Sequence, residues 1–234
     1  MTALPAGGQE NGSRTTSEDE IVKKRIVEQL AQDARVNAAD IQVTVTDGVV
    51  TLEGTVPTYF ARQEAYQIAW SIEGVANVDN RLTVEYLPPI TDDREIKENA
   101  QEVLRINPNI DEEEISVTVQ GGVVTMNGTV SVLWKKHRAE QVVSDVAGVT
   151  EVVNQIAVVP TEKVLDEVIA RQIVDAIDRN AEANVSDIDV QVRNGVVTLS
   201  GSVDSYLSRE EVYKLALYTA GVVSINDRLV VRPD

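Results

Sequence analysis

Few residues in this chain have the chemistry of a catalyst. His137 is its only histidine and there is no cysteine, which excludes thiolate nucleophiles, disulfides, cysteine-ligated zinc and iron–sulfur clusters. Lys135, Lys136 and Arg138 flank that histidine, and neighbouring positive charge lowers an imidazole pKa instead of orienting the ring as a base. The sequence holds no G-x-S-x-G elbow, no phosphate-cradling G-x-x-x-x-G-K-[ST], no G-x-G-x-x-G and no H-E-x-x-H. Three acidic runs remain: Ser17-Glu18-Asp19-Glu20, Asp92-Asp93 and Asp111-Glu112-Glu113-Glu114. None has the calcium-loop spacing, and adjacent carboxylates cannot all converge on one ion, so they read as solvated acid or as charge at helix starts. No enzyme activity, no metal cluster and no cofactor are expected. A cation held by backbone carbonyls leaves no trace in a sequence, so small-cation or ligand sensing stays open. The remaining stretch with a chemical character is Trp134-Lys135-Lys136-His137-Arg138. A tryptophan beside fixed positive charges suits an anionic headgroup surface, where each basic residue contributes about 1 kcal/mol. Lys23-Lys24-Arg25 forms a weaker second patch.

The elements that position these residues follow from an internal repeat. The strings DGVVTLEGTV from Asp47, GGVVTMNGTV from Gly121 and NGVVTLSGSV from Asn194 place Gly48, Gly122 and Gly195 at intervals of 74 and 73 residues. Gly74, Gly148 and Gly221, each followed by valine, keep the same two intervals. Within a unit the hydrophobic period changes in a fixed order. Val22, Ile26 and Leu30 share a helical face, as do Ile96, Ala100 and Leu104, and Ile169, Ile173 and Ile177. Strict alternation follows at Ile41, Val43 and Val45 and their equivalents, and then a two-residue turn closed by Gly48, Gly122 or Gly195. A returning strand, a second apolar-faced helix and a last strand complete the unit, with Gly74, Gly148 and Gly221 expected at the C′ position of the second helix. Gly54, Gly128 and Gly201 inside the returning strand read as a bulge or as close backbone approach to a packed helix.

The fold class is therefore α+β: three tandem αββαβ domains, each a small three-stranded mixed sheet with two helices on one face. The boundaries read as a disordered tail at 1–18 and domains at 19–87, 93–160 and 166–232. Units of about 70 residues have thin cores and an open sheet face, so packing between units or chains is expected. The 38 acidic against 21 basic residues leave a net charge of −17, the wrong sign for a nucleic-acid reader. No apolar run is long enough to span a bilayer, and the opening residues lack the pattern of a leader, so the expected location is cytoplasmic, or periplasmic for a processed mature chain.

The thrice-present G-V-V-[TS]-L-x-G-x-V core, with Met126 for leucine in the middle unit, and the distal G-V-x-x-[VI] turn resemble the BON domain, named for bacterial OsmY and nodulation proteins. The resemblance covers about Glu20 to Arg232. It implies a non-enzymatic αββαβ module of bacterial stress, envelope and transport-associated proteins that attaches to phospholipid membranes. On that basis the expected function is peripheral phospholipid association in an osmotic or envelope stress response, with a self-assembling cytosolic scaffold as the alternative.

Two constellations follow. Trp134, Lys135, Lys136 and Arg138 are the lipid-headgroup candidates; the competing reading is a solvent face with Trp134 packed inside, since Phe60 and Leu207 occupy the equivalent positions and are also apolar. Tyr66 and Trp70 of the first unit correspond to Tyr213 and Leu217 of the third but to Glu140 and Ser144 of the middle one. The second helices of the first and third units are thus expected to bury this face against each other or against another protomer in a homo-oligomer, while the middle one faces water. Alternatively these side chains only widen each unit's own core.

Overall fold

The computed structural model describes residues 16–34, 36–85, 92–110, 115–180 and 187–232. The N-terminal tail through residue 15, the Pro88-Pro89 linker and the Asp111–Glu114 run lie outside them. The first unit comprises α1 (Thr16–Gln32), β1 (Ile41–Thr46), β2 (Val49–Val56), α2 (Tyr59–Ser71) and β3 (Asn77–Val84). The middle unit comprises α3 (Asp93–Arg105), β4 (Ile115–Gln120), β5 (Val123–Val130), α4 (Leu133–Ser144) and β6 (Glu151–Val158). The third comprises α5 (Asp166–Arg179), β7 (Asp187–Arg193), β8 (Val196–Val203), α6 (Tyr206–Leu217) and β9 (Ser224–Val231).

In every unit the returning strand is central, antiparallel to the strand before it and parallel to the last one. The mixed sheet follows from connection length: a two-residue turn can only reverse the chain, whereas the last strand is reached through a helix and returns parallel. The opening helix buries the predicted stripe, with Ile26, Leu30, Ile96, Leu104, Ile169 and Ile173 at most 1% exposed. That stripe shares one core with the small residues of the second helix, such as Ala61, Ala65 and Ala69, and with inward strand residues such as Val50 and Leu52. The outward face carries Thr44, Thr46, Glu53, Arg81 and Thr83, all exposed. Arg81 there pairs with Asp79 at 2.7 Å and Glu53 at 3.3 Å.

Each hairpin turn has two consecutive positive φ values, such as 51° at Asp47 and 76° at Gly48 or 51° at Asn194 and 74° at Gly195, the type I′ pattern that matches strand twist. Its two N–H groups point away from the ladder, and one carboxylate of the opening helix takes both. Asp19 accepts from Asp47 N and Gly48 N at 2.9 and 3.1 Å. Asp93 does the same for Gly121 N and Gly122 N at 2.8 and 2.9 Å, and Asp166 for Asn194 N and Gly195 N at 2.7 and 2.9 Å. The turn carbonyls are used too: Gly48 O, Gly122 O and Gly195 O accept from Ala76 N, Thr150 N and Val223 N just before the last strand. One hairpin turn therefore ties the opening helix, the strand pair and the last strand together.

One sequence expectation about glycine changes. Gly74, Gly148 and Gly221 are not C′ residues; helices α2, α4 and α6 end earlier, at caps Ile72, Asp145 and Tyr218. They occupy the third position of β-turns closed by Val75 N to Ile72 O, Val149 N to Val146 O and Val222 N to Thr219 O, with φ of 96°, 95° and 86°. Positive φ at that position alone is a type II pattern and favours glycine. The helices stop short because the chain must turn before joining the sheet edge. Of the two readings of Gly54 as a bulge or as a close backbone approach, the second holds. Its register with Ile41 is unbroken, and a Cβ there would lie 1.9 Å from the carbonyl oxygen of Asp40, the last residue of a short 3-10 helix (Ala38–Asp40) that leads into β1. Gly128 and Gly201 share its strand position and its positive φ.

Candidate functional site

The three second helices converge, and their first residues explain how. Tyr59 of α2 is 8% exposed yet belongs to the core of the middle unit, and Leu133 of α4 is 5% exposed within the core of the third. Tyr206 of α6 packs against the core of the first. These are equivalent positions of the repeat, so each unit plugs its second helix into the next and the third closes on the first.

The helices consequently run head to tail around a triangle. The Tyr206 ring at the start of α6 stacks on Trp70 at the end of α2, with centroids 5.2 Å apart and planes inclined by 15°. Tyr66 meets the same indole edge-on at 6.2 Å, and the Arg209 guanidinium lies 5.6 Å from its centroid. The Tyr206 hydroxyl donates towards Gln67 Oε1 and Glu210 Oε1 at 2.8 and 2.9 Å; burial first, and then Glu210, push its pKa up. At the next corner Trp134 stacks on Tyr218 at 6.3 Å, and the Tyr213 hydroxyl lies 3.1 Å from His137 Nε2. Burial is the leading cause that lowers the His137 pKa, with Lys136 adding to it and Glu140 opposing. The flanking bases are therefore secondary to desolvation. Burial also raises the Tyr213 pKa, assisted by Asp227. Between the helices lies a cleft of about 1060 Å³, to which Gln63, Gln67, His137, Gln141, Glu210 and Lys214 contribute.

The lipid-headgroup candidates lie at the corner between α4 and α6. Trp134, Lys135 and Lys136 are half-buried, and Arg138 is exposed and donates to Gln141 Oε1 at 2.6 Å. The buried apolar residue of this segment is Leu133, not Trp134, and the equivalent Leu207 is 68% exposed. The interface candidates divide between two corners. Trp70 meets Tyr206 of α6 while Tyr66 packs on Trp70 within its own helix, and Tyr213 turns to α4. Leu217 packs against the third unit's core. The expectation that the middle helix faces water is thus corrected: His137 is its contact with α6, a residue that an apolarity count passes over but that a lowered pKa renders neutral. The weaker basic patch is tied to acid, Lys24 to Glu28 at 3.8 Å and Arg25 to Glu73 at 3.9 Å.

A further repeated position joins each second helix to its last strand. Asn80 Nδ2 donates to Arg62 O at 3.1 Å while its Oδ1 accepts from Leu82 N at 3.2 Å. Asn154 treats Lys136 O and Ile156 N likewise, at 3.0 and 3.2 Å. In the third unit the residue is Asp227, which keeps the bond from Leu229 N but pairs its other oxygen with Arg209 Nε at 2.8 Å. Among the described residues no group of three or more acidic or histidine side chains converges as a metal site, and no helix is long and apolar enough to cross a membrane.

The BON domain profile matches residues 18–86, 92–160 and 165–233. The chain belongs to the BON domain family. The chain is 27% identical over 148 residues to the osmotically-inducible protein Y of Escherichia coli K12, covering 59% of this chain and 72% of that one. A 21 kDa hemolysin of Actinobacillus pleuropneumoniae is 30% identical over 146 residues, 61% of this chain and 75% of the relative. Among solved structures, the C-terminal domain of CdsD from the type III secretion system of Chlamydia trachomatis aligns over 90% of this chain and 96% of its own, with 16% identity and a TM-score of 0.26. That likeness is too slight to bear on BON function. Residues that sequence reasoning missed are Asp19, Asp93 and Asp166, which keep the repeat interval inside acid-rich runs, and Tyr59, Leu133 and Tyr206, whose spacing marks them as apolar without saying whose core they fill.

Proposed function

We propose that this BON protein is a non-enzymatic binding module that associates peripherally with anionic phospholipid in a bacterial stress response. The observation that carries the reading is the corner between α4 and α6, where a stacked Trp134–Tyr218 pair, with Tyr218 67% exposed, lies beside Lys135, Lys136 and Arg138. Aromatic rings of mixed polarity suit the headgroup level, and basic side chains beside them gain from the negative surface potential of an anionic leaflet. The net charge of −17 restricts binding to this face, since the rest of an acidic body is repelled within a Debye length of roughly 8–10 Å. The similarity to an osmotically-inducible protein supports the stress setting.

Flotation with phosphatidylglycerol-containing and pure phosphatidylcholine vesicles tests this. Association with the anionic vesicles only, weakened by salt, is expected. Lys135→Glu/Lys136→Glu/Arg138→Glu should lower partitioning by about a hundredfold, from about 1 kcal/mol per basic residue removed. Equal flotation of wild type and triple variant, or none under any condition, would contradict the reading.

A further inference from the structure

The base at the start of each second helix, Arg62, Lys136 or Arg209, has a different set of acids in each unit. In the third unit Asp227 of the last strand pairs with Arg209. In the middle unit Asn154 replaces that aspartate, but Glu140 stands one helical turn after Lys136 and accepts from Asn154 Nδ2 at 3.1 Å. The first unit has Asn80 at one position and Tyr66 at the other, so it brings neither carboxylate to Arg62. The guanidinium instead borders a pocket of about 290 Å³ at the junction with the middle unit, lined by Tyr59, Gln63, Tyr66, Asn80 and, from across the junction, Glu151. That volume is near the lower end of small-molecule sites. Arg62 is half-buried and Glu151 exposed. Among the described residues neither forms an ion pair. Burial is the main cause that raises the Tyr59 pKa, with Glu140 adding to it; of the pocket's two charges, Arg62 lowers it and Glu151 raises it more weakly.

We propose that this pocket between the first and middle units binds a small zwitterion, its oxyanion on Arg62 and its ammonium group on Glu151 against the Tyr59 and Tyr66 rings. Two unpaired charges of opposite sign on the walls of one pocket are matched by a ligand carrying both, and a guanidinium is suited to an oxyanion by its planar fork of donors. The aromatic rings add attraction for the ammonium end. The third unit pairs its base with Asp227, and the middle unit has Glu140 one turn after Lys136, whereas the first unit has a carboxylate at neither position, which points to the first unit as the site. Phosphoethanolamine has this chemistry as a free solute, and a phosphatidylethanolamine headgroup has it at a membrane. The site does not depend on the anionic-lipid reading, because the soluble probe tests it without a bilayer.

Isothermal titration of the full chain with phosphoethanolamine should give saturable binding, weakened at least tenfold by Arg62→Gln and by Glu151→Gln and unchanged by Arg171→Gln on α5. Inorganic phosphate and ethanolamine alone should each bind at least tenfold more weakly. Thermal melts of both variants establish that they fold. If only phosphatidylethanolamine vesicles bind, and Arg62→Gln abolishes it, the site stands with a lipid as its source. No binding of either probe, binding that survives both variants, or phosphate binding as tight as phosphoethanolamine and indifferent to Glu151→Gln would each overturn the proposal.

Discussion

The junction that closes the ring differs from the two that follow the chain. Val84 at the end of β3 packs against the first and middle cores, and Val158 at the end of β6 against the middle and third, so consecutive units share a strand end as well as a plugged helix. The equivalent Val231 has only its own core. The third-to-first junction lacks a directly connecting segment and relies instead on the Trp70–Tyr206 stack, the Arg209 guanidinium and the contact of the Tyr206 hydroxyl with Gln67 Oε1. Short linkers hold consecutive units at high effective concentration, so modest contacts suffice there. Closure across the whole chain has a weaker tether, and large stacked rings with a cation supply more attraction per contact.

The comparison can be broken at the residue that receives each plug. Trp70, Ser144 and Leu217 are equivalent, and their contributions should fall in the order Trp70, Leu217, Ser144. Trp70→Ala removes a side chain shared by its own core and the closing stack and should cost about 3–5 kcal/mol, against about 2–3 for the half-buried Leu217→Ala. Ser144→Ala removes one hydrogen bond, from its hydroxyl to Gln141 O at 2.7 Å, and should cost about 1 kcal/mol. Chemical denaturation of the three variants checks the order, and equal losses would show that the closing corner is not special.

The aspartate clasp should be indifferent to which junction its unit serves. Asp19→Ala, Asp93→Ala and Asp166→Ala each leave two turn N–H groups without their acceptor, a loss of about 1–3 kcal/mol that should be similar in all three. A loss confined to one unit would mean that the clasp is not a shared device.

A smaller effect separates the corner of the middle and third units from the others, because only it holds a histidine. Burial lowers the His137 pKa below the ordinary 6.5. The unfolded chain therefore binds the proton first as pH falls, and stability contributed by the neutral ring is complete above about 6.5 and lost below it, through the lower folded value. Acid titration of melting temperature should show this loss in the wild type and less of it in His137→Gln. A steeper loss in the variant would contradict the sign.

Much of the fold was legible because both glycine families and the apolar stripes obey one interval, and period changes from helical to alternating mark the elements. The clasp was hidden by composition: Asp19 sits among Glu18 and Glu20, and only the equivalence of Asp19, Asp93 and Asp166 distinguishes it. Docking was half legible. Trp70 against Ser144 showed that the units differ, but an apolar residue at a helix start fills any core within reach, so Tyr59, Leu133 and Tyr206 could not be assigned to their neighbours. His137 escaped as a contact because sequence shows its charge neighbours and not its burial.

Closure of three BON domains into a ring is the claim on which the cleft, the corners and the junction pocket all depend. Small-angle scattering of the full chain tests it most directly. A closed arrangement should give a radius of gyration of roughly 18–20 Å, near that of one folded body of this length, with a single-peaked distance distribution. A clearly larger radius with an extended tail or several peaks, as for beads on a string, would contradict it.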